Sequence, residues 1–130
     1  MAMEKSHIWV GKFPSKDAFL SYMEESYHDD DNQPINKFAS DHNISFYDTD
    51  WEESFYDESE ELVDLVNHGS YSKDYKDDLL KALKSNNITS ANTIIIIDKD
   101  EIPNPLSIKG ENYYLKYLGE YTCDTTVPDL

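Results

Sequence analysis

A chain of 130 residues is long enough for one domain with one sizeable core. It carries 27 acidic residues against 11 lysines and no arginine, a formal net charge of −16, so DNA, RNA and anionic lipid would all be repelled. Two tryptophans, ten tyrosines and five phenylalanines exclude an acidic disordered tail, because such chains are poor in aromatic residues.

Ser6 to Phe13 alternates and carries Ile8, Trp9 and Val10, which predicts a first strand ending at a Pro14 turn. Ser15 is a good N-cap for a helix to about Glu25, with Phe19, Tyr22 and Met23 as its buried stripe. An acidic loop, His28 to Gln33, follows. Pro34 suits the first position of a second helix, in which Ile35, Phe38, Ala39 and His42 share a face and Asn43 takes the left-handed cap. Ile44 to Asp48 reads as a second strand, and Trp51 to Asp57 as a further extended piece of ambiguous alternation. Ser59 opens a third helix that Gly69 stops. Ser72 caps a fourth, with Tyr75, Leu79, Ala82 and Leu83 on one face. Asn92 to Ile97 is the clearest strand: four consecutive isoleucines suit a central strand buried on both faces. After a loop with Pro103, Pro105 and Gly110, Asn112 to Tyr121 is the last strand, setting Tyr113, Leu115 and Tyr117 against Tyr114, Lys116 and Leu118. The expected fold is α+β: a single domain over residues 1–130, built on a mixed β-sheet of about four to five strands with helical crossovers packed on it.

The charge is unevenly placed. Between Asp17 and Ser72 stand sixteen acidic residues and one lysine, Lys37, while the rest of the chain is nearly balanced. The same stretch holds ten of the aromatic residues, so it belongs to the folded part. A solvated face that aids solubility is the plain reading, and a face that captures a basic partner the sharper one, since a single-sign field speeds association with the opposite charge.

Little else points to chemistry. Cys123 is the one cysteine, which allows no internal disulfide and no zinc-type cysteine pattern. With no visible signal peptide and a longest apolar run of Ile94 to Ile97, a reducing cytoplasm is expected. His28-Asp29-Asp30-Asp31 and Asp48-Thr49-Asp50-Trp51-Glu52 place carboxylates as a hard-cation site would, but both lack the central glycine of a calcium loop. A hydrolase pairing Asp48 with Glu53, or His68 with Cys123, is conceivable, yet the sequence shows no phosphate-binding loop, dinucleotide turn or nucleophile elbow. His7, His28, His42 and His68 are scattered and read as surface or capping residues. No metal and no cofactor are expected. Trp9, in the first strand, reads as core. Trp51, inside the acidic cluster, reads either as a partly exposed anchor, since interface hot spots favour Trp and Tyr, or as a core residue.

The opening His7-Ile8-Trp9-Val10-Gly11-Lys12-Phe13 is followed by a serine-started helix and by Phe46-Tyr47-Asp48 with Asp50-Trp51. Gly69-Ser70-Tyr71-Ser72 and the isoleucine run ending in Asp98 come next. In this order and spacing, from about Ser6 to Tyr121, the chain resembles the immunity protein 22 family of bacterial polymorphic-toxin systems. The resemblance implies a cytoplasmic, non-enzymatic antidote that binds a cognate toxin domain, often a nuclease. It names neither the toxin nor the interface residues.

The two lines of reasoning converge on a binding module whose acidic face covers a toxin's basic active-site region. The candidate contacts are Asp29, Asp30, Asp31, Asp48, Asp50, Trp51, Glu52, Glu53, Tyr56, Asp57 and Glu58, with Trp51 and Tyr56 as aromatic anchors among charges that steer and pair. The rival readings are a metal-dependent hydrolase built on the Asp48 to Glu53 carboxylates and an acidic cytosolic adaptor with no toxin partner.

Overall fold

The computed structural model describes residues 3–26 and 33–124, and the isoleucine run lies inside a sheet, as its continuous apolarity predicts. In chain order the elements are β1 (Met3–Lys12), α1 (Lys16–Met23), α2 (Lys37–Asp41), a 3-10 turn (Thr49–Trp51) and β2 (Glu52–Tyr56). Then come α3 (Leu62–Asn67), α4 (Ser72–Ser85), β3 (Thr93–Asp98), β4 (Ile108–Lys109) and β5 (Tyr114–Asp124). The strands form one five-stranded sheet in the order β2-β3-β1-β5-β4. β1 lies opposite β3 with Ile8 facing Ile96, Trp9 facing Ile95 and Val10 facing Ile94.

Because strand side chains alternate, this register sorts the core into two layers. Trp9, Ile95 and Ile97 point to one face and pack with Phe13, Phe19, Tyr22 and Phe38, so α1 and α2 cover that side. Ile8, Val10, Ile94 and Ile96 point to the other and pack with Leu65, Val66, Tyr75, Leu79 and Leu83 of α3 and α4. A strand with helices on both faces has no wet side, which is why it can read Ile-Ile-Ile-Ile. Trp9 is fully buried, its ring edge-on to Phe38 at 5.0 Å, and its indole N–H donates to the Leu106 carbonyl at 2.8 Å. His7, beside it, is also buried: Nε2 lies 3.1 Å from the Ile102 carbonyl and Nδ1 2.7 Å from the Tyr117 hydroxyl. A carbonyl only accepts, so Nε2 carries the hydrogen. His7 is thus a core residue, not the surface or capping residue expected.

Several boundaries differ from the sequence reading, each for a local reason. The α+β class and the strand number agree with expectation, but every pairing is antiparallel, so the sheet is not mixed. The expected crossover exists: α1 and α2 carry the chain from β1 to β2, and the two strands run in the same direction. β3 inserts between them and is antiparallel to both, so no parallel pair forms. Ile44 to Asp48 is not a strand. The Ile44 N–H caps α2 by donating to the Ala39 carbonyl, and the Ser45 carbonyl accepts from the Ile35 N–H. The place beside β3 goes instead to the ambiguous piece after Trp51. Helix α2 begins after Asn36, whose side chain accepts from the Ala39 N–H at 2.8 Å, rather than at Pro34. Asn43 does take the left-handed conformation that ends it (φ 58°). α4 begins at Ser72, but the residue before it, Tyr71, is left-handed (φ 59°), and Ser72 is not its cap. Gly69, just before this turn, leaves room for two packed side chains: a Cβ there would lie 2.1 Å from the Tyr75 hydroxyl and 2.7 Å from Ile96 Cδ1.

The largest departure is in β5. Between the pairs Trp9–Tyr117 and His7–Glu120 the register shifts, because β5 has two residues, Leu118 and Gly119, where β1 has one. This is a β-bulge, and Gly119 takes φ 104°, a conformation that side-chain-bearing residues seldom adopt. Before the bulge, Leu115 and Tyr117 face the α1–α2 layer; after it, Tyr121 and Cys123 face the α3–α4 layer. Simple alternation would have sent all four to one side.

Asn92 fastens the sheet at one end. Its side chain accepts from the Phe13 N–H at 3.0 Å and donates to the Phe13 carbonyl at 2.9 Å. Its backbone N–H donates to the Gly11 carbonyl, and its carbonyl accepts from the Asp57 N–H at 2.8 Å. One buried residue thereby holds the ends of β1 and β2 at the start of β3.

Replacing Ile95 by Ala leaves a void between Trp9 and the α1–α2 layer. The expected loss is about 2–5 kcal/mol of unfolding free energy, measured by equilibrium urea denaturation against the parent chain. A loss close to zero would mean that β3 is not a buried strand.

Candidate partner-binding surface

β2 is an edge strand, and most of the acidic residues singled out in the sequence lie on it or at its two ends. Its side chains alternate between the layers. Glu53 and Phe55 point toward α3 and α4. Phe55 stacks on the His68 ring at 5.3 Å, while Glu53 accepts from the Ser70 N–H at 3.1 Å and the Ser70 hydroxyl at 2.7 Å. Glu52, Ser54 and Tyr56 point toward α1. Tyr56 stacks on Phe19 at 6.0 Å, partly buried.

Glu52 is not a simple surface charge. The Tyr47 hydroxyl donates to it at 2.5 Å, and that hydroxyl in turn accepts from the Asn36 side-chain amide at 2.9 Å. Burial pushes the Glu52 carboxyl up to about 7, with the nearby Glu25 adding to the rise and the Tyr47 hydrogen bond opposing it. Burial likewise raises the Tyr47 hydroxyl well above the ordinary tyrosine range.

The acids flanking β2 divide between bonded and exposed. Asp48 caps the 3-10 turn by accepting from the Asp50 N–H at 3.0 Å, and its own N–H donates to Glu101 at 2.7 Å. Asp50 is exposed on that turn, and Trp51, which ends it, is 53% exposed. At the far end of β2, Asp57 accepts from the Ser59 N–H at 2.9 Å and lies 3.0 Å from His68 Nε2. The hydrogen bonds from Ser59, with His68 beside it, hold its carboxyl below the usual range. Glu58 is exposed. Asp29, Asp30 and Asp31 lie outside the described residues.

Two depressions flank the strand. On the α3–α4 side a pocket of about 200 Å³ is lined by Glu4, Asp50, Glu52, Glu53 and Asp98, with Trp51 beside them and Ile96 and Cys123 in its wall. On the α1 side an open groove of about 600 Å³ is lined by Asp17, Glu24, Glu25 and Glu52, with Leu20 and Ser54. No lysine lines either one. Sequence reasoning had picked out Asp50, Trp51, Glu52 and Glu53 but not Glu4, Asp98, Asp17, Glu24 or Glu25. Glu4 and Asp98 come from β1 and β3 and are brought in by the sheet. The α1 acids could have been found, since they stand off the stripe of Phe19, Tyr22 and Met23.

The surface beside β2 is dominated by carboxylates. Among the described residues no three His, Cys, Asp or Glu side chains group as metal ligands. The two carboxylates of the hydrolase reading are separately engaged, Asp48 in its cap and Glu53 with Ser70. Cys123 is buried. Among the described residues no helix is long and apolar enough to cross a membrane.

The family model described as Immunity protein 22 matches residues 6–124, nearly the whole chain. The chain belongs to the immunity protein 22 family. Immunity proteins neutralise a cognate toxin, and they do so as inhibitors rather than as catalysts. The matched span begins inside β1 and ends with β5, so it takes in part or all of every strand of the sheet and all the residues named around the two depressions except Glu4. No curated protein and no solved structure matches the chain.

The partly buried Glu52 gives this surface a pH signature. Its folded-state pKa lies above its ordinary 4.5, so between about pH 4.5 and 7 the folded chain holds a proton that the unfolded chain releases. Glu52 therefore favours folding at low pH, and that contribution is lost as pH rises through about 7. Glu52→Gln keeps an acceptor for Tyr47 and removes the titration. The variant should gain about 1–2 kcal/mol relative to the parent between pH 5 and pH 8, read from denaturation curves at both pH values. An unchanged difference would show that Glu52 ionises as a solvated carboxylate.

Proposed function

We propose that this immunity protein acts in the cytoplasm by laying the acidic β2 side over the basic active-site region of its cognate toxin, a nuclease. The observation that carries this reading is the arrangement of charge beside β2. Carboxylates gather on both faces of one edge strand, no lysine lines either depression, and Trp51 and Leu20 stand about half exposed there, at 53% and 50%. A nuclease must present positive charge to hold phosphates, so a folded acidic surface competes for the same groups. Exposed apolar anchors set among such charges supply the desolvated contact that gives residence time, while the charges steer encounter. The contacts proposed are Asp50, Trp51 and Glu58 on the exposed turns, with Asp48, Glu52, Glu53, Tyr56 and Asp57 supporting them from partly buried positions. Asp29, Asp30 and Asp31 complete the acidic set by sequence.

The test uses the cognate toxin domain, identified as the nuclease whose toxicity this chain suppresses on co-expression. Its association rate with the immunity protein should fall by about tenfold or more between low and high salt. A double variant, Asp50→Lys with Glu58→Lys, changes two exposed positions, so its melting temperature should stay within a few degrees of the parent's. The same variant should bind the toxin at least about tenfold more weakly, because like charges then face each other. A salt-independent rate and full protection by the double variant would show that the acidic face serves solubility and that the toxin binds elsewhere.

A further inference from the structure

The sheet has two edges, and they are not alike. β4 is two residues long, carries Lys109, and follows a segment with Pro103 and Pro105, which are the usual means of blunting an edge. β2 is five residues long and has no proline, no lysine and no bulge. Its outward backbone groups can be assigned. The Asp57 N–H donates to the Asn92 carbonyl, and residues 57 and 92 continue the β2–β3 register. In an antiparallel pair, bonded and non-bonded positions alternate. The bonds to β3 therefore fall at Phe55 and Glu53, and the N–H and C=O groups of Ser54 and Tyr56 point away from the sheet. Among the described residues none of these outward groups is bonded to another backbone group.

We propose that β2 receives a strand from the toxin, an extended segment carrying Lys or Arg on both of its faces, which becomes the sixth strand of the sheet. The inference rests on the toxin-binding reading above and adds the mode of binding. Side chains of an added strand alternate between the two faces of the sheet. Those on one face are directed toward the pocket of Glu4, Asp50, Glu53 and Asp98, and those on the other toward the groove of Asp17, Glu24 and Glu25. Both recesses are acidic, so both sets of partner side chains are expected to be basic. An apolar residue on each face meets Trp51 or Leu20, which stand exposed one to each recess. Charge also selects among possible occupants. A second copy of this chain would bring Glu52, Glu53, Asp50 and Asp57 against themselves, whereas a basic strand neutralises them.

The experiment separates a backbone contact from a side-chain contact at one residue. Ser54→Pro removes an outward N–H and leaves the bonds to β3 in place, and proline is tolerated on an edge strand when its missing N–H faces outward. Ser54→Ala keeps the N–H and removes only the hydroxyl. With the cognate toxin domain as the probe, Ser54→Ala, which lacks the hydroxyl but keeps the N–H, is the reference for the proline variant. Ser54→Pro should bind about tenfold more weakly or worse. Independently of any variant, backbone hydrogen exchange at Ser54 and Tyr56 in the parent chain should slow by about tenfold or more in the complex, while Phe55, already bonded to β3, changes little. If Ser54→Pro does not fold, the exchange measurement decides. Unchanged exchange at Ser54 and Tyr56, or equal binding by the proline and alanine variants, overturns strand addition while leaving toxin binding intact. A parent dimer that Ser54→Pro dissolves overturns it in favour of a second copy. Failure of the parent chain to bind the toxin at all defeats the functional reading and this one with it.

Discussion

β3 meets water on neither face. From Thr93 to Ile97 every residue is buried, and each fully buried isoleucine contributes roughly 1.5–3 kcal/mol only while apolar side chains cover it. Covering both faces of one strand requires two helical layers, and the chain supplies them in sequence: α1 and α2 before β2, α3 and α4 after it. The antiparallel direction of the pairings on β3 follows from where the strands enter the sheet. The first crossover must leave a gap beside β1 for the isoleucine strand, and the second delivers that strand running the other way. The edge position of β2 is a consequence of this order. Which strand is left at this edge is therefore set by how the core is filled.

A net charge of −16 opposes compaction, and the structure divides its carboxylates according to what they do for the fold. Asp48, Glu53 and Asp57 are tied to backbone N–H groups, Glu52 is held by Tyr47, and Asp41 accepts from the hydroxyls of Tyr22 and Tyr113 and pairs with Lys37. Asp50 and Glu58 remain exposed, where mutual repulsion is screened by water and salt. Like charges crowded around one edge strand raise the energy of the isolated protein, and an opposite charge lowers it.

The sequence revealed the interior better than the surface, for physical reasons. Ile94 to Ile97, Trp9 and the Phe19–Tyr22 stripe are apolar at spacings that only burial explains, and the structure buries them. Ile44 to Asp48 failed as a strand because its β-type residues are consumed by the end of α2, a competition that depends on three-dimensional neighbours. The two-residue β4 is too short to leave a periodic trace, and its partner in β5 defines it. In the acidic region, sequence gave the sign and the neighbourhood but not the assembly. Nothing near Glu4 or Asp98 in the chain says that they join Asp50 and Glu53, and nothing near Glu52 says that Tyr47 bonds to it. Gly119 was the one available sign that β5 does not alternate throughout, since a glycine inside a strand often marks a bulge.

That bulge has a consequence for how the chain can vary. The two halves of β5 are out of step by one residue, so each half serves a different helical layer. Exchanging one apolar residue for another in either half alters a volume and can be absorbed by small shifts of its neighbours. Removing either Leu118 or Gly119 would take out the extra residue: the pairs Trp9–Tyr117 and His7–Glu120 would then join in regular alternation, and Tyr121 and Cys123 would keep the layer they face. At any other place in the strand a one-residue change would turn the residues beyond it to the opposite face, so the bulge is the one point where the length of β5 can vary without exchanging its layers.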